Sequence, residues 1–436
     1  MLATRLYGYP TMNAPKLPRW LIPRLPFYYG WIILACVCCA GLSRQGGAVA
    51  TLSVFVSPMT AEFHWSRTAI SGAVSLGGIL AAVASPFLGR LLDREGARVV
   101  LWVAVLTTGL ANMALSLTVS LPMFYLLFCV ARMNFAGPFD LGIYGAVNSW
   151  FIARRSFASA IASVGQMTGL VVLPMIGSLA MLTGGWRAGW LTIGATVLVV
   201  GFIPAFLLMV RAPEDVGLVP DGTRPVSSGA SGHVVRPEPV FTRAQAVRTR
   251  SFWLLSLFTL LAYPVQAGVS LHQAPFLIER GLSPPVAASI VSYFSLMSGI
   301  ASFGFGVLPK RLTARWKLAL TGLLLCCGTS LYQFVHGAAG GYLAATFFGA
   351  GVGGLLVMLP IAWADYFGRG NYGSIRGLAL TGQVLAQAAG PLLSGVLRDA
   401  TGGYETSLAC FAVLSGLSML AAMLATPPSI SFAHRY

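Results

Sequence analysis

The sequence predicts an all-α membrane protein of twelve transmembrane helices, built as two parallel six-helix pseudo-repeats with both termini in the cytoplasm. Scarcity of charge, the length of the apolar runs and a repeat at constant offset predict it. Of 436 residues, 56% are hydrophobic and 9% charged, against roughly 25% charged in a soluble domain. A chain this long and this poor in charge cannot cover a water-facing surface. The apolar residues fall in runs of about 20, the length that spans a bilayer core. The 50 glycines suit close helix packing in lipid.

The spans fall at approximately 28–57, 67–92, 97–119, 121–151, 156–183, 187–211, 250–278, 285–309, 315–336, 340–367, 373–398 and 404–426. With the N-terminus inside, 22 of the 28 Lys and Arg lie in cytoplasmic segments. Arg67, Arg187, Arg280 and Arg398 lie outside, and Arg44 and Arg132 fall within spans. That asymmetry is the positive-inside pattern. The formal charge of +16 therefore orients the chain and is not the footprint of a nucleic-acid partner. The first apolar run, from Phe27, is too long for a cleavable signal core, so no signal peptide is expected. The seven cysteines all sit in apolar spans without metal-type spacing, and no metal or cofactor is expected.

Residues 212–249 break the pattern. Their polar stretch 212–246 is rich in Gly, Pro and Ser, includes Ser227–Gly232, and reads as a cytoplasmic linker. It divides an N-terminal bundle, 28–211, from a C-terminal bundle, 250–426, with cytoplasmic tails at 1–27 and 427–436. Sliding one half along the other by 217 pairs Pro58 with Pro275, Glu62 with Glu279 and Gly89 with Gly306. The same offset pairs Arg98 with Arg315, Gly165-Gln166 with Gly382-Gln383, and Pro174 with Pro391. A constant offset across loops and spans marks an internal repeat. Both halves start on the same side, so the repeats are parallel, which places a solute site between them near the midplane.

The stretch from Gly89 to Arg98, with Asp93, Arg94 and Gly96, resembles the G-x-x-x-D-R-x-G-x-R loop of the major facilitator superfamily. The resemblance implies that Gly89, Asp93, Arg94, Gly96 and Arg98 form a conformational latch. The second copy, Gly306–Arg315, has Lys310 in place of the acid. Further motifs are similar to monocarboxylate-transporter-like and oxalate–formate-antiporter-like proteins. They are Tyr28-Tyr29-Gly30-Trp31, Glu62–Arg67, Trp150–Arg155, Pro213–Leu218 and Asp365–Gly368. The chain departs from monocarboxylate transporters in two places. It lacks their lysine late in span 1, where Gly46–Val56 is uncharged, and residues 286–308 carry no charge in span 8. The substrate residues of those proteins therefore do not transfer.

Charge at bilayer depth costs a few kcal/mol or more and marks function by default. Three such residues stand out: Arg44 in span 1, and Arg132 and Asp140 in span 4. The helical rise puts both arginines near mid-depth, and the family fold implies that spans 1, 4, 7 and 10 line the cavity. At the 217 offset the three charges face Leu261, Gly349 and Val357, so they belong to one half only. Arginine presents a planar fork to a carboxylate. Arg44 and Arg132 are expected to hold a small organic anion, a mono- or dicarboxylate. The alternative is that Arg132 only pairs with Asp140. Gln45, Asn134, Tyr263, Gln266 and His272 are the other substrate-binding candidates, and Asp140 is the candidate proton-coupling group. Gly137-Pro138 is expected to bend span 4.

The expected function is secondary active transport across an inner or plasma membrane by alternating access, with a monomer sufficient. The partners are the anionic substrate, a candidate co-transported proton and the bilayer. No ATP-binding motif is present, and no nucleophile–base pair lies at membrane depth, so an enzyme is not expected. Export of drug-like or other metabolites, or a sensor on the same fold, are the competing readings.

Overall fold

The computed structural model describes residues 15–222, 239–309 and 311–428. The Ser227–Gly232 run of the linker, Lys310 and the two chain ends lie outside them. Among the described residues every regular element is helical. Short α1 (Lys16–Leu21) leads to α2 (Gly30–Arg44) and α3 (Val49–Phe63). Then follow α4 (Arg67–Leu115), α5 (Leu121–Ala136), α6 (Pro138–Trp150), α7 (Arg155–Val197) and α8 (Ile203–Leu207). After the linker come α9 (Arg243–Val247), α10 (Arg250–Glu279), α11 (Pro284–Val307) and α12 (Ala314–Gln333). The chain closes with α13 (Ala338–Phe367), α14 (Tyr372–Thr401) and α15 (Glu405–Leu424).

Eight of the helical stretches are long and apolar enough to cross a membrane. Two contain glycine breaks. Gly96 stands at φ 79° inside α4, and Gly185 at φ 65° inside α7. A left-handed φ interrupts a right-handed helix, and glycine adopts it without the Cβ penalty. The sequence places a loop at 93–96; the helix instead runs on to Glu95 and turns at Gly96 alone.

Two other spans are interrupted. The first is not one helix ending near residue 57. α2 stops at Arg44, Gln45–Gly47 tightens into a single 3₁₀ turn, Ala48 is extended, and α3 continues to Phe63. The fourth bends where expected. Gly137 leaves helical geometry at φ −113°, ψ −86°, and Pro138 opens α6, since a proline ring favours the first helical position.

The contacts define two compact units. The first comprises 1–73, 91–158 and 165–237; the second comprises 74–90, 159–164 and 238–436. In the first, a Cβ on Gly165 or Gly169 of α7 would stand 2.7 Å or 2.6 Å from the Cα of Cys38 or Leu42 on α2. Phe55 of α3 stacks on Trp190 of α7 with ring centroids 4.0 Å apart. In the second unit, Gly349 and Gly353 of α13 meet α11 in the same way, at the carbonyls of Phe294 and Ser298. Small residues let helix backbones approach where no water-driven hydrophobic force joins them.

Two of the motifs similar to the monocarboxylate group, Tyr28–Trp31 and Trp150–Arg155, meet in the first unit. Tyr28 donates to the Trp150 carbonyl at 3.0 Å, and Tyr29 donates to the Leu208 carbonyl at 2.8 Å. Trp31 packs on Phe151 with centroids 5.3 Å apart. Asp221 accepts backbone N–H bonds from Ile152, Ala153 and Arg154 at 2.9, 2.7 and 3.1 Å. In the second unit Phe241 pairs its N–H with the Phe367 carbonyl, and its own carbonyl accepts from Asn371. Both described ends of the linker are therefore sewn onto helix ends of their own unit.

Three of the arginines assigned to the outside, Arg187, Arg280 and Arg398, are paired. Arg187 makes two bonds to Glu62, at 2.9 and 2.7 Å. Arg398 reaches Glu279 at 2.8 Å, and Arg280 reaches Glu405 at 3.1 Å. Arg67 opens α4 after a Ser66 cap that accepts from Ala69 N–H.

Candidate functional site

The charged residues of the two interrupted spans converge inside the first unit. Arg44 is the last residue of α2, so the break after it frees its side chain from a continuing helix. Arg132 and Phe135 lie three residues apart on α5, hence on one helix face. Asp140 sits in the first turn of α6. The positive end of that helix dipole favours a carboxylate there.

Arg44 is heavily engaged. Its Nε donates to the Phe135 carbonyl at 2.9 Å, one of the groups near the bend. A terminal nitrogen donates to Gln166 Oε1 at 2.5 Å, and another stands 3.8 Å from Asp140 Oδ1. Gln166 in turn donates to the Tyr144 hydroxyl at 3.4 Å. The Arg44 and Asp140 side chains are 13% and 9% exposed, so this ion pair is largely shielded from water.

Arg132 is different. It makes no ion pair among the described residues. One terminal nitrogen has a long contact, 3.5 Å, with the Gly47 carbonyl in the span 1 break. Its buried Nε has no hydrogen-bond partner. Both guanidinium carbons lie 4.6 Å from the centroid of the same Phe135 ring. A ring face attracts cations, so Phe135 holds two like charges in one neighbourhood. The acid that pairs with an arginine here pairs with Arg44. The alternative of Arg132 held by Asp140 does not describe this arrangement.

The other sequence candidates fall in several places. Gln45 is buried in the break, and its carbonyl accepts from Thr51 Oγ1 at 2.7 Å. Asn134 turns toward α4, donating to Thr107 and Thr108 hydroxyls at 2.8 and 3.0 Å. In the second unit Tyr263 is buried on α10, and Gln266 accepts from Gln387 at 3.1 Å. His272 uses both ring nitrogens, each 3.2 Å from a partner. The Pro391 carbonyl can only accept, so Nε2 donates to it and Nδ1 is left to accept from Tyr404 OH. His272, Gln273, Tyr332, Ser394 and Tyr404 line a small pocket.

Of the latch residues, Gly89 lies where a Cβ would meet the Gly373 carbonyl, a close approach only glycine permits. Gly96 makes the φ 79° turn, and Arg98 donates to the Phe206 carbonyl at 3.0 Å. Asp93 is partly buried and Arg94 exposed in the same segment.

Sequence reasoning missed Phe135 and Gly47. The i, i+3 spacing from Arg132 was the available signal for Phe135. For Gly47 it was the Gly46-Gly47 pair within an apolar span. A Cβ on Gly47 would stand 2.2 Å from the Ala131 carbonyl, so this glycine lets the break press against α5.

A helical chain with repeated apolar spans and a mostly buried charged cluster in one unit defines a multi-pass integral membrane protein of the transporter class. The chain belongs to the Major Facilitator Superfamily, whose family model matches residues 33–278 and 267–433. Among its relatives is Monocarboxylate transporter 11 of Homo sapiens, 28% identical over 406 residues, covering 90% of this chain and 81% of that one. The Oxalate:formate antiporter of Oxalobacter formigenes is 23% identical over 390 residues, covering 86% of each. The solved structure of the proton:xylose symporter XylE superposes with a TM-score of 0.72 at 12% identity, covering 90% of this chain and 94% of that one.

Proposed function

We propose that this protein is a secondary active transporter of a small organic anion, a mono- or dicarboxylate, working by alternating access. The observation that carries the reading is Arg132, a guanidinium within a membrane span with no acid beside it. An unpaired charge at that depth is costly, and a carboxylate supplies the missing counter-charge through two parallel hydrogen bonds. Arg44 is the second member of the clamp, already oriented by the Phe135 carbonyl and Gln166. The cluster holds two cations and one anion, so it keeps a net positive charge until substrate arrives. The names of the relatives, monocarboxylate transporter and oxalate:formate antiporter, agree with a carboxylate.

On this reading Asp140 is the proton-coupling group. Its protonation removes the charge facing Arg44 and frees that guanidinium for substrate. Gln45, Asn134, Tyr263, Gln266 and His272 are the further substrate-binding candidates, and Gly89–Arg98 is the candidate latch. The same reading counts the helices on either side of the glycine breaks in α4 and α7 separately, adds α12 and α14 to reach twelve spans, and takes both termini as cytoplasmic.

The test is a thermal-shift screen of purified protein against lactate, formate, oxalate and related acids. A ligand of the folded state raises Tm by mass action. Hits are carried into uptake assays in proteoliposomes. Arg132→Gln should abolish both the shift and the uptake, and Arg132→Lys should restore only part, since lysine lacks the fork. Wild-type uptake by Arg132→Gln sinks the reading.

A further inference from the structure

The segment entering span 1 carries a surface that the transport site does not use. α1 and the 3₁₀ turn Ile22–Arg24 make one short helical run ahead of α2. Pro18 turns inward and is buried. On the other side Lys16, Leu17, Arg19, Trp20, Arg24 and Phe27 are exposed. Leu17, Trp20 and Phe27 show 38%, 55% and 50% of their surface, high values for large apolar side chains. Lys16, Trp20 and Arg24 recur at spacings of four along the helical run, which places them on one face, and Phe27 follows beyond the extended Leu25.

That face mixes two chemistries in a fixed order. Arg24 lies over the Trp20 ring, 4.2 Å from its centroid, and one of its nitrogens donates to the Trp20 carbonyl at 2.6 Å. The ring is thereby held flat beside a cation that keeps its other N–H donors. No acidic residue occurs between Lys16 and Tyr29, so the segment itself carries only positive formal charge.

Its level is fixed by its neighbours. Tyr28 and Tyr29, which follow directly, bond to carbonyls at Trp150, the last residue of α6, and Leu208, just past α8. The segment therefore begins where spans of the first unit end, at the height where lipid headgroups meet helix ends. Tryptophan settles at that height because its ring is apolar and its N–H is polar. Basic residues there are drawn to negative headgroups.

We propose that residues 16–27 form a foot that binds the headgroups of anionic phospholipids, with Trp20 and Phe27 seated among the acyl ends and Lys16, Arg19 and Arg24 on the phosphates. The inference is independent of the transported solute.

The test uses the full-length protein in a micelle of neutral detergent. Phosphatidylglycerol should raise Tm by several degrees more than phosphatidylcholine does, and 1 M salt should erase most of the difference by shortening electrostatic reach to about 3 Å. The variant Lys16→Gln/Arg19→Gln/Arg24→Gln should bind phosphatidylglycerol on the order of 100-fold more weakly. Trp20→Ala should lower affinity for both lipids. Native mass spectrometry of the wild type, counting retained lipids of each kind, gives a readout that needs no variant to fold. Equal retention of the two lipids overturns the proposal. So does an unchanged phosphatidylglycerol effect in the triple variant, or an equal shift from inorganic phosphate alone.

Discussion

Phe135 is the residue on which the charged cluster turns. Its carbonyl accepts from Arg44 Nε, and its ring lies 4.6 Å from both guanidinium carbons. Two cations this close repel each other, and a π face shared by both offsets part of that cost. A desolvated cation–π contact contributes about 2 kcal/mol and an exposed one about 0.5–1. Phe135→Leu keeps the carbonyl and most of the volume but removes the ring quadrupole. It should destabilise the protein by about 1–3 kcal/mol and weaken anion binding several-fold, read by Tm and by titration of a carboxylate hit. Gln166→Leu tests the opposite side of the cluster. It deletes the 2.5 Å acceptor of Arg44 and leaves the guanidinium with the Phe135 carbonyl and Asp140. A buried donor left unmet costs about 1–3 kcal/mol, so Tm should fall. Added carboxylate should recover more of that loss than it adds to wild type. The cluster charges were legible in the sequence because a charge in an apolar run is conspicuous. Their partners were not. Gln166 lies 122 positions from Arg44, and Phe135 is one phenylalanine among 25.

At the scale of elements, the two interrupted spans do different work. Span 4 bends at Gly137-Pro138, and the sequence announces it, because a proline in the middle of an apolar run cannot continue the hydrogen bonding of the helix before it. Span 1 breaks at Gln45–Ala48 with no proline there. A Gly-Gly pair in an apolar span reads equally well as a packing patch, so hydropathy carries straight through it. Only the approach of α5, at 2.2 Å from a would-be Gly47 Cβ, distinguishes the two. At Gly96 and Gly185, by contrast, the sequence already separates two spans, and the chain turns there on left-handed glycines. Gly47→Ala follows as an element-scale prediction. The neighbour at Ala131 is a backbone carbonyl and cannot swing aside, so α5 must shift and carry Arg132 with it. Overpacking of this kind costs about 1–3 kcal/mol. Gly46→Ala meets the Asn112 side-chain amide first, a group that can rotate. The expected order of carboxylate affinity is therefore wild type, then Gly46→Ala, then Gly47→Ala, and a reversal of the two variants would refute the role given to the break.

Across the whole molecule, the 217-residue offset separates scaffold from chemistry. The charges of the cluster have no counterparts at Leu261, Gly349 and Val357, whereas a pair of ion clasps does repeat. Glu62, at the end of α3, is held by Arg187 and by the Trp186 indole N–H at 2.6 Å. Glu279, its repeat mate at the end of α10, is held by Arg398, whose guanidinium lies 5.8 Å from the Tyr404 ring centroid. Trp186 and Tyr404 correspond one residue beyond the offset. The repeat was readable from sequence as matched letters. That it preserves an acid, an arginine and an aromatic in one contact could not be read, because the arginines come from different register positions. In the first unit the clasp ties the end of α3 to the glycine break in α7, and in the second it ties the end of α10 to the last turn of α14. The pairs are solvent-exposed, with side chains 38–44% accessible, so each contributes little to stability. Glu62→Gln and Glu279→Gln should each lower Tm by about 1–3 °C. Neither clasp borrows a residue from the other, so the double variant should show the sum of the two losses. Reversing one clasp, Glu62→Arg with Arg187→Glu, should recover most of the Glu62→Arg loss. A double variant that loses far more than the sum would mean that the clasps act on one shared element, and not each within its own unit.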